Sequence, residues 1–349
     1  MRRWLPLLIT LSALAACEDD DGDPLAEFRD ALPDEEALAI VMPGDEEVAG
    51  NTSGAGLGEP SQLRAHTARA RRFLTSTISE MVASYRELVA LPPIIRTADR
   101  AVWWRRNDGG AVEHLLVMTR QGEGHFTMSA WVRVGHRTDP SAPWRFLVFG
   151  DLTPARTLGD GRGALYLDLD NDNKAKTLGK LLVLFSVIDD ERSMDVLTYQ
   201  VATDDELAVT RGFRYRELGT SGVLSFDAGL VNIHQRPDRP EPEAVRIITR
   251  WSGPRFRSDF TATSDEIRGD GYKAIVGSEC WAAGEGLVLF ESLHALAPVG
   301  PPVALREPSG NIGACAGPRP AVPVLPEPTE PPSEPEPPPE AGPGFDPER

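Results

Sequence analysis

Gly124-His125-Phe126-Thr127-Met128-Ser129-Ala130-Trp131-Val132-Arg133-Val134-Gly135 decides the fold. Phe126, Met128, Ala130, Val132 and Val134 alternate with His125, Thr127, Ser129, Trp131 and Arg133. Successive strand side chains point to opposite faces, so this period of two gives one buried and one more exposed face. Glycines bound the stretch at both ends, as turns require.

The same pattern recurs along the chain. Strands are expected near 101–106, 112–119, 144–149, 164–169, 180–188, 195–201, 207–215, 222–226, 244–251, 256–261, 272–276 and 287–291. Turn signals separate them, among them Asn107-Asp108-Gly109-Gly110, Gly122-Glu123-Gly124 and Gly159-Asp160-Gly161. With almost no helix between strands, the pattern argues against a βαβ architecture. The expectation is a mainly β fold, an antiparallel multi-stranded meander curled into a half-barrel or sandwich. Leu181-Leu182-Val183-Leu184-Phe185 is apolar on both sides and is expected to be a central strand covered on both faces. Ala295 to Pro308 shows little strand pattern.

One amphipathic helix precedes the strands. From Ser61 to Val89, Phe73, Thr77, Met81, Tyr85 and Leu88 fall three or four residues apart, and Leu74, Ile78, Val82 and Val89 widen the apolar face. Arg64, Arg69, Arg71 and Arg72 crowd its first half, against the helix dipole, so packing must hold it. Pro92-Pro93 ends it. The chain therefore divides into a leader (1–16), an acidic tether and linker (17–60), a helix-plus-sheet domain (61–317) and a Pro/Glu-rich segment (318–349). Within the tether, Leu25, Phe28 and Leu32 are helically spaced and Leu38, Ile40 and Met42 alternate, so this part could pack onto the domain. Of the 32 residues from 318 to 349, 13 are proline. Such a composition buries too little apolar area to fold and predicts an extended, disordered segment.

The leader reads Met1-Arg2-Arg3, an apolar run from Trp4 to Ala16, then Cys17. A basic start before a short apolar run is a secretory pattern. The run falls short of the roughly 20 residues that span a bilayer. Leu14-Ala15-Ala16-Cys17 resembles the lipobox of bacterial lipoproteins. The resemblance covers only the targeting segment. It implies cleavage between Ala16 and Cys17, a diacylglycerol on the Cys17 sulfur and an added acyl chain of the palmitate type. It also implies a lipid-anchored place in the cell envelope, at the outer membrane, facing the periplasm or the cell surface. Two acyl chains anchor stably, at about 0.8 kcal/mol per buried CH₂. In that oxidising compartment the remaining cysteines, Cys280 and Cys315, are expected to form one disulfide.

With 53 acidic against 36 basic residues the net charge is −17, which argues against nucleic acid as a partner. Nucleophile-elbow, zinc-helix and P-loop motifs are missing, so no catalytic residue is assigned. His66, His114, His125, His136, His234 and His294 are scattered without ligand spacing. Asp168, Asp170 and Asp172 alternate as in a calcium loop, making calcium the one candidate cofactor. The same residues also read as an Asx-rich turn, and the next loop positions, Asn173 and Gly179, depart from a calcium loop.

Trp103, Trp104, Trp131, Trp144, Trp251 and Trp281 fall in or beside strands, either filling a core or lining an apolar cavity. Trp103 and Trp104 must face opposite ways, so one of them belongs to a second layer or is exposed. The functional expectation is a non-enzymatic envelope lipoprotein that binds or scaffolds an envelope protein. The alternative is a carrier of a lipid or other apolar ligand. It rests on an order of elements that looks similar to the lipoprotein-localisation carriers, a helix-plugged half-barrel. An unrecognised hydrolase comes third. Cys17→Ser should abolish incorporation of a labelled fatty acid and release the protein from membranes; a mutant that retained the label would overturn the lipobox reading.

Overall fold

The structure, a computed structural model, describes residues 25–34, 38–43, 62–107, 109, 111–135, 141–154, 161–171, 178–189, 191–203, 206–231, 242–282, 287–306 and 309–310. Two helices come first, α1 (Ala26–Asp30) and α2 (Gln62–Val89). The first eight strands are β1 (Ile95–Arg96), β2 (Arg100–Asn107), β3 (Val112–Gly122), β4 (His125–Val134), β5 (Arg145–Pro154), β6 (Gly161–Asp168), β7 (Leu178–Ile188) and β8 (Glu191–Thr203). There follow β9 (Glu206–Leu218), β10 (Ser221–Val231), β11 (Glu243–Ser252), β12 (Arg255–Thr263), the short α3 (Asp265–Gly269), β13 (Ala274–Ala282), β14 (Leu287–Leu296), β15 (Val303–Arg306) and β16 (Ser309–Gly310).

All sixteen strands form one antiparallel sheet, ordered β1 to β15 as in the chain, with β16 also pairing β14. It is a continuous meander, not the two sheets of a sandwich. Its two ends are not paired to each other, so it is not closed into a barrel. The strand expected at 124–135 is β4, and the helix expected at 61–89 is α2. Proline-rich 295–308 departs from expectation, because Val303–Arg306 pairs with Leu293–Ala295. Those four residues lie between prolines and show no alternation long enough to read.

The helix crosses the strands. Near its start the Leu63 N–H donates to Glu279 Oε2 on β13 at 3.2 Å. One turn later Thr67 Oγ1 meets Thr249 Oγ1 on β11 at 2.7 Å. Phe73 packs on Phe213 of β9, and just past the helix end Leu91 O accepts the Trp103 indole N–H from β2. From Leu63 to Leu91 is about 42 Å at 1.5 Å per residue. The arc from β13 to β2 is about 53 Å at 4.8 Å per strand. An arc longer than its chord means that the sheet curls around the helix.

Residues 25–43 make a second pass in the opposite direction. Phe28 lies edge-on to Trp103 of β2 and Phe126 of β4. Arg86 of α2 donates to Leu32 O and Pro33 O at 3.1 Å. The Ile40 N–H reaches Thr75 Oγ1, and the Val41 N–H reaches the Tyr215 hydroxyl on β9. Met42 and Pro43 arrive beside Phe256 of β12 and Trp281 of β13. This described part of the 17–60 stretch is therefore core. One cluster joins Phe28, Leu38 and Ile40 to Leu74, Ile78 and Leu88 of α2 and to side chains from every strand between β2 and β13.

Gly222 shows how tightly the inner face is filled. A methyl there would lie 2.2 Å from the Trp251 ring. At Gly122 a methyl would meet nothing within 4 Å. Gly222→Ala should therefore cost about 1–3 kcal/mol of stability by overpacking. Gly122→Ala should stay within about 0.5 kcal/mol of the parent. Urea unfolding of the two variants checks the contrast, and equal midpoints would refute it.

Candidate functional site

With the inner face filled by the chain itself, the outer face of the sheet is where side chains remain available. Two crevices border the inner passes. One lies beside Met42, Thr67 and Trp281, the other beside Pro33, Gly161 and Phe185, and each is about 10 Å³, room for a single water. The tryptophans divide between the faces. Trp103, Trp251 and Trp281 point inward into the main core. Trp131, Phe146 and Tyr166 form a second cluster with Val102, Leu115 and Val117 on the outer face, against which Trp104 and Trp144 pack. Beside it the buried Glu113 carboxylate is paired with Arg133 and also with Arg106, while the Arg133 guanidinium lies over Trp144. Trp103 and Trp104 do serve different layers, as strand alternation requires.

Register lines up the outer side chains in rows. One row runs Phe149, Tyr166, Leu182, Leu197 from β5 to β8. The next contains Leu184, Asp195, Arg214, Ser225, Ile248 and Asp259. In the first two rows Phe149 and Leu184 stay exposed, at 36% and 47%. The sequence suggested that β7 is covered on both faces. Leu184 corrects this: β7 is central in order, yet nothing described closes over its outer side.

A third row runs Ser193, Arg216, Val223, Arg250, Arg257, Cys280 from β8 to β13. Across the last two rows the charges form two sets in which one aspartate serves two arginines. Asp195 accepts from Arg214 Nε and Nη2 at 2.9 and 2.8 Å and from Arg216 Nη1 at 2.8 Å. Asp259 accepts from Arg250 Nη1 at 2.5 Å and Arg257 Nε at 3.1 Å, and also from Ser278 Oγ. Burial pushes the Asp195 carboxyl up, but the hydrogen bonds and charges of Arg214 and Arg216 outweigh it and hold the group below its ordinary range. On the inner face, burial and the Glu217 carboxylate hold the Tyr215 phenol protonated, well above its ordinary range.

At the strand ends, an open crevice of about 400 Å³ lies between the β7–β8 and β9–β10 turns, lined by Ser186, Ile188, Asp189, Glu191, Ser193 and Leu218. Leu218 is 67% exposed. The hairpin turns thus carry apolar and acidic groups, and the rows behind them carry the arginines.

Asp168 and Asp170 are engaged within the chain. Buried Asp168 accepts Lys180 Nζ at 2.7 Å and the Asp170 N–H at 3.2 Å, while Asp170 Oδ1 accepts the Gly179 N–H at 2.7 Å. This is the Asx-turn arrangement, and a cation there would have to displace Lys180. Asp172 lies outside the described residues, as do Ala16, Cys17, Cys315, His136 and His234. His125 pairs with Asp151 at 2.9 Å on the outer surface. Cys280 is fully buried.

The arginine sets were not singled out from sequence. Their signal is Arg214-Tyr215-Arg216 and Arg255-Phe256-Arg257, an inward aromatic flanked by outward arginines. No known protein family, curated protein or solved structure matches the chain.

Asp195→Asn should lower stability at pH 7 by about 1.5–3 kcal/mol, the range for hydrogen bonds to charged groups. A carboxyl whose pKa is depressed on folding stabilises the fold above its unfolded value of about 4, and that contribution is lost as pH falls through the depressed value. The gap between parent and variant should therefore persist down to about pH 4 and narrow below it. A gap unchanged at about pH 2 would refute this account of Asp195.

Proposed function

We propose that the chain is an envelope lipoprotein, held on the outer membrane through acyl chains at Cys17, whose domain binds an envelope protein through the outer face of its sheet. The observation that carries this reading is the occupied interior. Residues 25–43 and α2 fill the inner face, while Phe149, Leu184 and the arginine rows lie outside. Among the described residues no helix is long and apolar enough to cross a membrane. In this reading attachment falls to the lipid, and the net charge of −17 argues against nucleic acid as the partner. The proposal assigns no catalytic residue, and it pairs Cys280 with Cys315, a bond of the kind that adds about 2–4 kcal/mol.

The carrier reading draws support from a sheet curled around a helix. It requires an acyl chain to enter where the chain's own Phe28, Leu38 and Ile40 now pack. Fluorescent fatty-acid titration separates the two. The partner reading expects no saturable site, and a stoichiometric, displaceable site would favour the carrier. In parallel, Leu184→Asp with Phe149→Asp, both exposed, should leave the melting temperature within about 2 °C. The double variant should shrink the detergent-extracted assembly to the size of the free chain. An assembly of unchanged size would remove the outer face from the proposal.

A further inference from the structure

We infer that the outer-face arginine row is a docking track for an extended acidic, proline-rich segment, and that its occupant is the chain's own residues 318–349. The inference rests on reading the outer face as the working surface. The segment carries seven acidic residues, Glu327, Glu330, Glu334, Glu336, Glu340, Asp346 and Glu348, against Arg319 and Arg349. The track is cationic within a chain of net charge −17: Arg214, Arg216, Arg246, Arg250 and Arg257 face Asp195, Asp227 and Asp259 there.

The point at which the chain leaves the described fold gives the second argument. The last described residue, Gly310, pairs with Leu289, which pairs with Cys280, which pairs with Arg257. The exit thus lies on the same row as Arg257, Arg250, Val223 and Arg216. From Gly310 to Arg250 is four strand spacings, about 19 Å. The 17 residues from Gly310 to Glu327 give a flexible chain a root-mean-square reach of about 22 Å. The proposed Cys280–Cys315 bond would start the segment on this row as well. Burial follows the same direction. Cys280, Arg257 and Arg250 are buried at the exit end, whereas the Arg216 and Arg246 side chains are 38% and 52% exposed.

Spacing gives the third. A polyproline helix repeats every three residues, about 9 Å, and turns the same side outward each time. Glu327 and Glu330 would then present carboxylates about 9 Å apart on one side. Arg216, 38% exposed, and Arg250, buried against Asp259, are separated by β10 alone, two spacings or about 10 Å, so a carboxylate meets Arg216 directly while its neighbour three residues away lies over the Arg250–Asp259 pair. Single pairs with exposed side chains such as Arg216 and Arg246 are weak and screened by salt, so docking depends on several contacts at once and on the high local concentration of a tethered segment.

The test uses the full chain with Glu327, Glu330, Glu334, Glu336 and Glu340 changed to Gln, which frees the track without touching the sheet. A fluorescein-labelled peptide of residues 318–349 is added and binding is read by anisotropy at low salt. The neutralised chain should bind the peptide at least ten-fold more tightly than the wild-type chain, whose track is already filled. Binding should fall steeply with added NaCl. Adding Arg216→Gln and Arg246→Gln should weaken it at least five-fold. The fold should survive that change, because Asp195 keeps both bonds from Arg214; an unchanged melting temperature checks it. Equal peptide binding by wild-type and neutralised chains, or binding indifferent to the two arginine changes, would overturn the inference. Either result would leave the anchoring and partner readings standing, since fatty-acid labelling and assembly size test those separately.

Discussion

The start of α2 is the constraint on which the rest depends. A helix leaves its first N–H groups without partners and carries partial positive charge there. This helix has no acidic residue in its first turn and crowds arginines into its first half. The compensation comes from 216 residues away: buried Glu279 on β13 accepts the Leu63 N–H. One turn on, a chain of buried hydroxyls runs from Leu63 O through Thr67 and Thr249 to Ser258, with links of 2.7, 2.7 and 2.5 Å. Hydrogen bonds among buried groups are directional and expensive to leave unmade. They fix which turn of the helix sits over which strand, a choice that apolar contacts alone would leave loose. With that end pinned at β11–β13, the far end reaches β2, and the curl of the sheet follows.

Periodicity of two showed the strands because each inner face is apolar, and β4 reads as cleanly in sequence as in space. Periodicity of 3.6 showed α2. Sequence could not show what β7 meets outside, because Leu184 is apolar whether covered or not. It showed the Asp168–Asp172 run but not Lys180 beside it, since that partner lies across a turn on the next strand. The arginine rows are invisible for a related reason. Arg216, Arg250 and Arg257 become neighbours only after three hairpin registers are known. Even a one-residue slip in any of them would turn an arginine inward. Nor could local spacing say that the apolar residues of 25–43 run back across the sheet, since their partners are scattered along the chain from Thr67 to Trp281.

Every strand from β1 to β15 pairs with its neighbours in the chain, so most sheet contacts close over a single turn. Among the described residues, α2 and residues 25–43 tie distant strands together. A topology of this kind assembles hairpin by hairpin at modest loop-closure cost, with the two inner passes completing the core. The edges are correspondingly small targets. β1 and β16 are two residues each and β15 is four, and short edge strands offer little template for unwanted pairing.

The crossing of helix over meander also couples two lengths that evolve by different means. A meander can gain or lose a whole hairpin at any turn and keep every side chain on its proper face. Each such change widens the arc by two strands, about 10 Å. The helix has to grow by up to six or seven residues to follow it, roughly two turns at 1.5 Å per residue. Descendants of this architecture should therefore vary in size in paired steps, with every duplicated hairpin matched by added turns in the helix it encloses.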